Sequence, residues 1–296
     1  MLMTIRLWFD RLAGHEGVNF ALTNRIPRRT LTRLMGRMSR IEHPWFVKPA
    51  LWLWRQFGGL NLEEARKQRF ASLHDCFVRE LKPGARPIDT DPATLVAPCD
   101  AIVGACGQLD GVRLIQAKGH HYFLHELLDD PELAARYRDG CYATLRITAC
   151  RYHRFHAPLD GHVPRIDYIA GDAFNVNPPA VARIAKLYCR NERAVVRFEV
   201  EGQAPPVLLV PVAAILVASI RFTFTDVRLH LKYAGPNRID CDAALAKGDE
   251  MGWFEHGSTI IVIAPRGYTL APGIASGLAL RMGGALMRTP KSNPCH

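Results

Sequence analysis

Four residues far apart in the sequence have side chains suited to nucleophilic and acid–base chemistry. Ser258, which follows Gly257 in a Gly-Ser-Thr tripeptide, carries a hydroxyl that attacks a carbonyl once a base has removed its proton. His153 and His156 are three residues apart, and imidazole gains and loses protons near neutral pH. Asp100 could orient one imidazole, as in a Ser/His/Asp relay. Together these residue types could activate a serine.

The histidines and the aspartate also have more ordinary explanations. A His-x-x-His pair can ligate a metal, but residues three apart on a strand face opposite sides, so a shared ion would need a turn there. One buried and one exposed imidazole is the ordinary arrangement, and an aspartate after a strand is usually a turn residue. The eight cysteines include no Cys-x-x-Cys pair, which indicates free thiols. No metal site is predicted.

A further segment, Gln-Ala-Lys-Gly-His-His-Tyr-Phe-Leu at 116–124, could contact a ligand. Lys118 lies next to a glycine, in a loop that could meet an anionic headgroup, and we add His120 and Tyr122 as substrate-binding candidates. In isolation the better explanation is a plain strand-to-helix turn. The basic segment Phe-Val-Arg-Glu-Leu-Lys-Pro-Gly-Ala-Arg-Pro-Ile at 77–88 is by itself typical of an exposed turn.

The elements that position these residues are predicted to be mostly strands. From about residue 90 onward, short apolar and alternating runs are separated by Gly, Pro and Asp, which is typical of a β body. The runs lie at 95–96, 143–150, 195–200, 207–220, 221–231 and 259–264. Helices are predicted at 124–138 and 179–187, and the Gly- and Ala-rich tail at 272–288 is predicted to be loosely ordered.

Residues 1–60 have a different composition. They carry ten Lys and Arg against three acids, so they supply seven of the chain's ten excess positive charges. An amphipathic helix is predicted over 30–41, with arginines on one side and an apolar face formed by Leu31, Leu34, Met35, Met38 and Ile41. Three tryptophans follow between 45 and 54, and tryptophan beside basic residues favours a helix lying in a lipid headgroup layer. A cap packed on the domain is the alternative, and both can hold together.

No segment predicts a membrane-spanning helix, which needs about 20 apolar residues. The uncharged run at 205–220 is short and contains Pro211, and the run at 45–57 contains Lys48 and Pro49. No signal peptide is predicted, because charged residues interrupt 1–14. A basic amino-terminal region is attracted to polyanions, either nucleic acid or an anionic membrane surface. Since no nucleic-acid-binding motif is found, a nucleic-acid partner is not expected.

Taken together and in this order, the segments resemble the phosphatidylserine decarboxylase family. The segment 77–88 is similar to the family's Arg-x-Leu-Lys-Pro-Gly-Ala-Arg-Pro-Ile, 96–101 to its Pro-Ala-Asp-Gly, and 118–124 to its Lys-Gly-x-x-Tyr-x-Leu. Tyr-His-Arg-Phe-His-Ala-Pro-Leu-Asp-Gly at 152–161 matches Tyr-His-Arg-x-His-x-Pro-x-Asp-Gly. Further matches lie at 174–177, 191–193 and the Gly-Ser-Thr of 257–259. Several motifs in fixed order are far more specific than any one of them.

The resemblance implies that the Gly257–Ser258 bond is cut and that Ser258 becomes a covalent pyruvoyl cofactor. It implies Ser258 as the nucleophile, His156 as its general base, Asp100 as the residue orienting His156, and His153 in decarboxylation. A Schiff base between the pyruvoyl group and phosphatidylserine would then release CO2 and leave phosphatidylethanolamine. The cleaved chains, 1–257 and 258–296, would stay together, and a homodimer is allowed.

The expected fold is α+β: a mostly β catalytic core at 61–296 with a membrane-associated helical region at 1–60. The expected location is peripheral, on the cytoplasmic face of the cell membrane. Ala101 stands where the family usually has Gly, and it would be strained if that position needed a positive φ. A non-processing relative that only binds anionic lipid is therefore the alternative. A hydrolase that keeps Ser258 is disfavoured, because no Gly-x-Ser-x-Gly elbow surrounds it.

Overall fold

The computed structural model describes residues 28–117, 120–215, 219–231, 233–255 and 258–290, with the side chains of 28 and 29 left out. Seven helices lie in these ranges, all but the first two of them five residues or shorter. They are α1 (Arg28–Met38), α2 (Pro44–Phe57), α3 (Leu73–Phe77), α4 (Leu124–Leu128), α5 (Pro131–Ala135), α6 (Pro178–Val181) and α7 (Leu187–Arg190).

Strands make up most of the remaining regular structure. In the first half they are β1 (Thr94–Val96), β2 (Ala101–Gln108), β3 (Arg113–Ala117), β4 (His120–Phe123), β5 (Cys141–Ile147), β6 (Arg154–His156) and β7 (Gly161–Ile169). In the second half they are β8 (Arg193–Glu199), β9 (Val207–Val212), β10 (Ile220–Phe222), β11 (Arg228–Leu229), β12 (Arg238–Leu245), β13 (Glu250–Phe254), β14 (Ser258–Ala264), β15 (Thr269–Leu270), β16 (Ala279–Leu280) and β17 (Ala285–Arg288).

An eight-stranded antiparallel sheet forms the centre of the fold, in the order β12-β7-β8-β9-β14-β5-β2-β16. β14 lies between β9 and β5 and is buried along its whole length. That explains its continuous Ile-Ile-Val-Ile run, since a strand covered on both faces has no polar side to show. A four-stranded sheet, β11-β10-β13-β6, lies beside it. Ser258 begins β14, His156 ends β6, and His153 immediately precedes β6, so the two sheets position the candidate residues.

The expectation of a mostly β core is confirmed, while two predicted helices are wrong in extent. The helix predicted at 124–138 is two short ones, because Asp129 takes a left-handed conformation with φ 53° and ends α4. Asp130 then caps α5 by accepting from the Leu133 N–H, and Pro131 begins it. The helix predicted at 179–187 is likewise divided, and the left-handed Lys186, with φ 55°, starts α7.

The prediction of a loosely ordered tail is wrong. β16 pairs with β2, and β17 pairs with both β1 and β15. Leu286 and Met287 are fully buried. Glycines at 273, 277 and 283 take positive φ, so they form the turns between these short strands. The tail's high glycine content therefore reflects its tight turns.

The two long amino-terminal helices pack against the body and leave apolar side chains exposed. Trp54 of α2 stacks on Phe77, with ring centroids 5.6 Å apart. Of the face predicted on α1, Met35 is partly covered, while the buried residues are Thr32 and Ser39. The exposed large apolar side chains of this region are Leu34, Met38, Ile41, Trp45, Trp52, Leu53 and Phe57; we call them the apolar patch. No helix in the described ranges has the length and hydrophobicity to span a bilayer.

Candidate active site

Ser258 is the first residue of β14, and its position in the sheet is well defined. Its Cα lies opposite Ile147 of β5, and the next residue, Thr259, lies opposite Val212 of β9. Ser258 is completely buried, and its Oγ has no hydrogen-bond partner among the described residues. A buried hydroxyl without a partner is costly, and Ser258 shares this property with the adjacent Thr259. Gly257 lies outside the described residues.

A cavity of about 420 Å³ is lined by Ile147, the residue paired with Ser258, although Ser258 itself is not among the described lining residues. The strands on either side of β14 lead into it, through 147–149 after β5 and 214–215 after β9. The amino-terminal helices cover it with apolar side chains, and residues 175–177 close another side. The lining from the helical region consists of Met35, Ala50, Trp54, Leu73 and Phe77. An apolar space with a few polar groups beside a candidate nucleophile is the ordinary form of a ligand site.

His153 is fully buried and lies close to the segment that leads to Ser258. Its carbonyl accepts a hydrogen bond from the Phe254 N–H at 3.0 Å, and its ring packs on Phe77 with centroids 4.0 Å apart. Its Nδ1 is 2.8 Å from the Arg151 carbonyl oxygen. Since a carbonyl can only accept, Nδ1 carries the hydrogen, and Nε2 is the basic nitrogen of the neutral ring.

His156 is also buried, with hydrogen bonds at both ring nitrogens. Its Nδ1 donates to the Gly248 carbonyl at 2.9 Å, so its Nε2 accepts from the Tyr152 hydroxyl at 3.0 Å. Burial lowers the pKa of His156 below its usual value, although the Gly248 carbonyl and nearby carboxylates oppose the shift. The ring is therefore neutral at pH 7, as a general base must be.

Asp100 makes its hydrogen bonds to an arginine and the backbone. Arg86 donates from Nε to Oδ1 at 2.8 Å and from its terminal nitrogen to Oδ2 at 2.6 Å. The Met282 N–H also donates to Oδ1 at 2.9 Å. Within the described ranges, Asp100 makes no hydrogen bond to His156, and Ser258 makes none to either histidine. The structure thus brings Asp100 close enough to His156 to act on its charge, and it does not show the direct relay that the resemblance implies.

Arg86, which sequence reasoning missed, belongs to the basic segment interpreted above as an exposed turn. Its side chain is only 7% exposed, and it also pairs with Glu64 at 2.9 Å. The pKa of Arg86 is raised, because its bonds to Asp100 and Glu64 outweigh the effect of burial. The sequence signal for Arg86 is that the basic segment 77–88 occurs together with the segment 96–101, which contains Asp100. A buried carboxylate needs a cationic partner, and the basic segment offers one.

Glu255 is a second missed residue, three positions before Ser258. Its carboxylate is 4% exposed, and it accepts from Arg40 at 3.1 and 3.0 Å and from Arg228 at 2.5 Å. His74 of α3 is 3.8 Å away. The pKa of Glu255 is lowered, because these cations and the Ser219 hydroxyl outweigh the effect of burial. Glu255 therefore ties the segment before Ser258 to the amino-terminal helical region.

Two of the three predicted substrate contacts, His120 and Tyr122, lie away from the cavity. Tyr122 is fully buried, with its ring against Tyr188 at a centroid distance of 6.0 Å. His120 begins β4 of a separate two-stranded sheet, and Lys118 lies outside the described residues. Among the residues described, neither His120 nor Tyr122 lines the cavity.

Ala101, the departure from the family pattern, is the first residue of β2 and is fully buried. It is not one of the described residues with a positive φ. An alanine at this position therefore carries no left-handed backbone strain. As to metals, the described part of the chain contains no group of three side chains that could hold an ion.

Comparison with known proteins gives a consistent result. The sequence model of the family described as phosphatidylserine decarboxylase matches residues 73–288. A phosphatidylserine decarboxylase proenzyme of Aliivibrio fischeri is 33% identical over 284 residues, which cover 90% of this chain and 96% of the relative. Proenzymes of the same name from Coxiella burnetii and Vibrio campbellii are 36% and 38% identical over 247 residues. These alignments cover 81% and 80% of this chain, and 87% and 86% of the relatives.

Proposed function

This chain belongs to the phosphatidylserine decarboxylase family, and we propose that it converts phosphatidylserine to phosphatidylethanolamine and CO2 after cutting itself before Ser258. The observation that carries the proposal is the position of Ser258. It is a buried serine without a hydrogen-bond partner among the described residues, at the start of a central strand and beside an apolar cavity. The relatives' description as proenzymes supports the self-cleavage.

The cleavage begins when a base takes the Ser258 proton and Oγ attacks the Gly257 carbonyl carbon. The peptide bond breaks as an ester forms, and the amide nitrogen becomes a free amine. Removal of the Ser258 α-proton then expels the Gly257 carboxylate and leaves dehydroalanine. Water replaces the nitrogen, which departs as ammonia, and a pyruvoyl ketone remains at residue 258. The products are chains 1–257 and 258–296, held together by the pairing of β14 with β5 and β9.

The residues around Ser258 fit a pyruvoyl group, since Ser258 is fully buried and no described residue holds its Oγ, which would leave with the Gly257 carboxylate while the ketone forms at Cα. When present, this group supplies an electron sink for the loss of CO2 from an amino-acid headgroup. The fixed pairing of β14 holds residue 258 in place. The neighbouring cavity excludes water from part of the substrate and accommodates its apolar portion.

We assign the base for self-cleavage to His156 and a proton-transfer role in decarboxylation to His153. His156 is supported by its lowered pKa and by the hydrogen bond that fixes its tautomer with a lone pair on Nε2. The Tyr152 hydroxyl, which donates to that nitrogen, must give way to the Ser258 hydroxyl. His153 is supported by its packing on Phe77, which lines the cavity. Asp100 acts with Arg86, and its effect on His156 is electrostatic.

The apolar patch and the basic composition of residues 1–60 support peripheral binding to an anionic membrane. Trp45 is 74% exposed and Trp52 is 49% exposed, and exposed apolar side chains gathered in one region mark an interaction surface. Basic residues contribute about 1 kcal/mol each near an anionic leaflet. The cytoplasmic leaflet carries such charge, and we place the enzyme there. Because α1 and α2 also cover the cavity, a lipid headgroup has a short path to it.

The test of the function is CO2 release from phosphatidylserine carrying a labelled carboxyl carbon, in mixed detergent micelles. The purified wild-type protein should release labelled CO2 and form phosphatidylethanolamine. Ser258→Ala should release none and should remain a single chain on a denaturing gel. A wild-type protein that cuts itself and yet releases no CO2 from this lipid would refute the substrate assignment.

A further inference from the structure

Arg146 is the one charged side chain among the fourteen described residues that line the cavity. It lies on β5 directly opposite Thr259, the residue after Ser258. Paired residues on neighbouring antiparallel strands have Cα atoms about 5 Å apart. Arg146 therefore lies one residue along the sheet from the level of Ser258, on the face that it shares with Thr259, and it lines the same cavity as Ile147, the residue paired with Ser258.

Among the residues that the structure describes, no carboxylate acts on the positive charge of Arg146. The side chain is partly buried, and it makes no hydrogen bond or ion pair with any residue that the structure describes. The groups that act on its charge are the Tyr188 hydroxyl and the Arg151 guanidinium, and no described carboxylate is among them. Burial, the largest effect, lowers the pKa of Arg146, and the neighbouring Arg151 adds to the local positive potential.

Two other arginines with little exposed surface show how such a side chain is usually satisfied. Arg86 forms a two-point contact with Asp100. Arg193, 3% exposed, donates to four backbone carbonyls. Removing a guanidinium from water without a partner is unfavourable, and its planar donor set matches a carboxylate or a phosphate in a two-point contact. Since Arg146 has no such partner among the described residues and lines the cavity, its position indicates a partner that comes with the ligand.

We propose that Arg146 is a specificity-determining residue that binds an anionic group of the substrate headgroup. This inference rests on the proposed function. The headgroup offers two such groups, the phosphodiester and the serine carboxylate, and both present oxygens that a guanidinium can bind in pairs. They differ in the product, which keeps the phosphodiester and has lost the carboxylate. Inhibition by product therefore tells the two apart.

The experiment compares Arg146→Gln, Arg146→Lys and a matched control, Arg266→Gln, with the wild type. Arg266 is exposed in the turn after β14, at the strand end away from Ser258. Its replacement by glutamine changes the net charge of the protein by the same amount as Arg146→Gln. Self-cleavage is followed by intact mass, and KM and kcat are measured for a short-chain phosphatidylserine in micelles. We expect Arg146→Gln to cut itself normally and to raise KM roughly tenfold or more. Arg146→Lys, which keeps charge and loses the planar fork, should raise KM less. Arg266→Gln should match the wild type.

Inhibition by phosphatidylethanolamine assigns the group. If Arg146 binds the phosphodiester, Arg146→Gln should weaken product inhibition by the same factor as KM; if it binds the carboxylate, inhibition should stay unchanged. A KM within twofold of the wild type for Arg146→Gln would overturn the proposal. If that variant fails to fold, an unchanged KM for Arg146→Lys would do so. A wild-type protein that does not cut itself or release CO2 would instead refute the proposed function.

Discussion

Replacing Glu255 with glutamine should slow self-cleavage more than its effect on stability would suggest. The carboxylate accepts three hydrogen bonds from Arg40 and Arg228, and it is the last described residue before Ser258 on the amino-terminal side. Glutamine keeps the shape of the side chain and removes its charge. The arginines would then repel each other across an uncharged amide, and residue 255, three positions before Ser258, would be held less firmly.

The size of the effect follows from burial. Removing one partner of a buried ion pair costs roughly 3–5 kcal/mol. Glu255 is 4% exposed, but Arg40 and Arg228 are 44% and 35% exposed, so they regain water, and the glutamine oxygen still accepts one hydrogen bond. We therefore expect a loss of about 2 kcal/mol, or a Tm lower by roughly 5 °C. Because a displacement of about 1 Å can cost on the order of 100-fold in rate, cleavage should slow at least tenfold.

The assay follows cleavage on a denaturing gel and unfolding by a thermal scan. The matched control is Asp167→Asn, which also removes a carboxylate held by two arginines, Arg165 at 2.9 Å and Arg197 at 3.1 Å. Asp167 lies on β7, separated from β14 by β8 and β9, so cleavage should stay at the wild-type rate. Glu255→Asp should recover part of the lost rate. If Glu255→Gln loses stability and still cuts at the wild-type rate, Glu255 does not position the cleavage segment.

The remaining predictions concern the base and the membrane. The pKa of His156 is lowered, so the neutral base persists below pH 6.5. The cleavage rate should therefore be level from pH 8 to 6.5 and fall as the pH drops through that lowered pKa. A fall already between pH 8 and 7 would contradict the assignment of His156 as the base. Tyr152→Phe removes a hydrogen-bond donor that favours the neutral form of His156, so the midpoint of the cleavage pH profile should move to higher pH. An unmoved or lower midpoint would show that the Tyr152 hydroxyl does not act on the base. Trp45 and Trp52 are exposed, and replacing both with alanine should weaken flotation with anionic vesicles roughly tenfold. Ile115→Ala, an exposed apolar control on β3, should leave flotation unchanged. Equal flotation of the two variants would rule out the apolar patch as the membrane-binding surface.

Much of the core could be predicted because its strands are marked locally. The run that became β14 is β-branched and uninterrupted, so both its strand character and its burial follow from the sequence. The helix predicted over 124–138 is wrong in extent. The prediction gave more weight to the helix-forming residues of this run than to Asp129, Asp130 and Pro131, which end one helix and begin the next. The presence of Pro211 argues against a spanning helix over 205–220, and the strand predicted in that run is confirmed by β9, where Pro211 lies opposite Ile260.

The partners in the candidate site could not be predicted, because they depend on which distant charges meet. Arg40 and Glu255 are 215 residues apart, and no local pattern connects them. Asp100 was assigned to a histidine by the resemblance, while the fold gives it Arg86. The motifs therefore predict which types of residue take part in the chemistry, whereas their hydrogen-bond partners are seen only in the tertiary structure.

The mass of the purified chains under denaturing conditions tests the central claim most directly. We predict two species, one ending at Gly257 and one starting at residue 258. The mass of the short chain should be lower, by one ammonia, than that of a chain headed by serine, and its terminus should resist amine-reactive labelling. A single uncut chain in well-folded protein, or a short chain headed by an unmodified serine, would contradict the account.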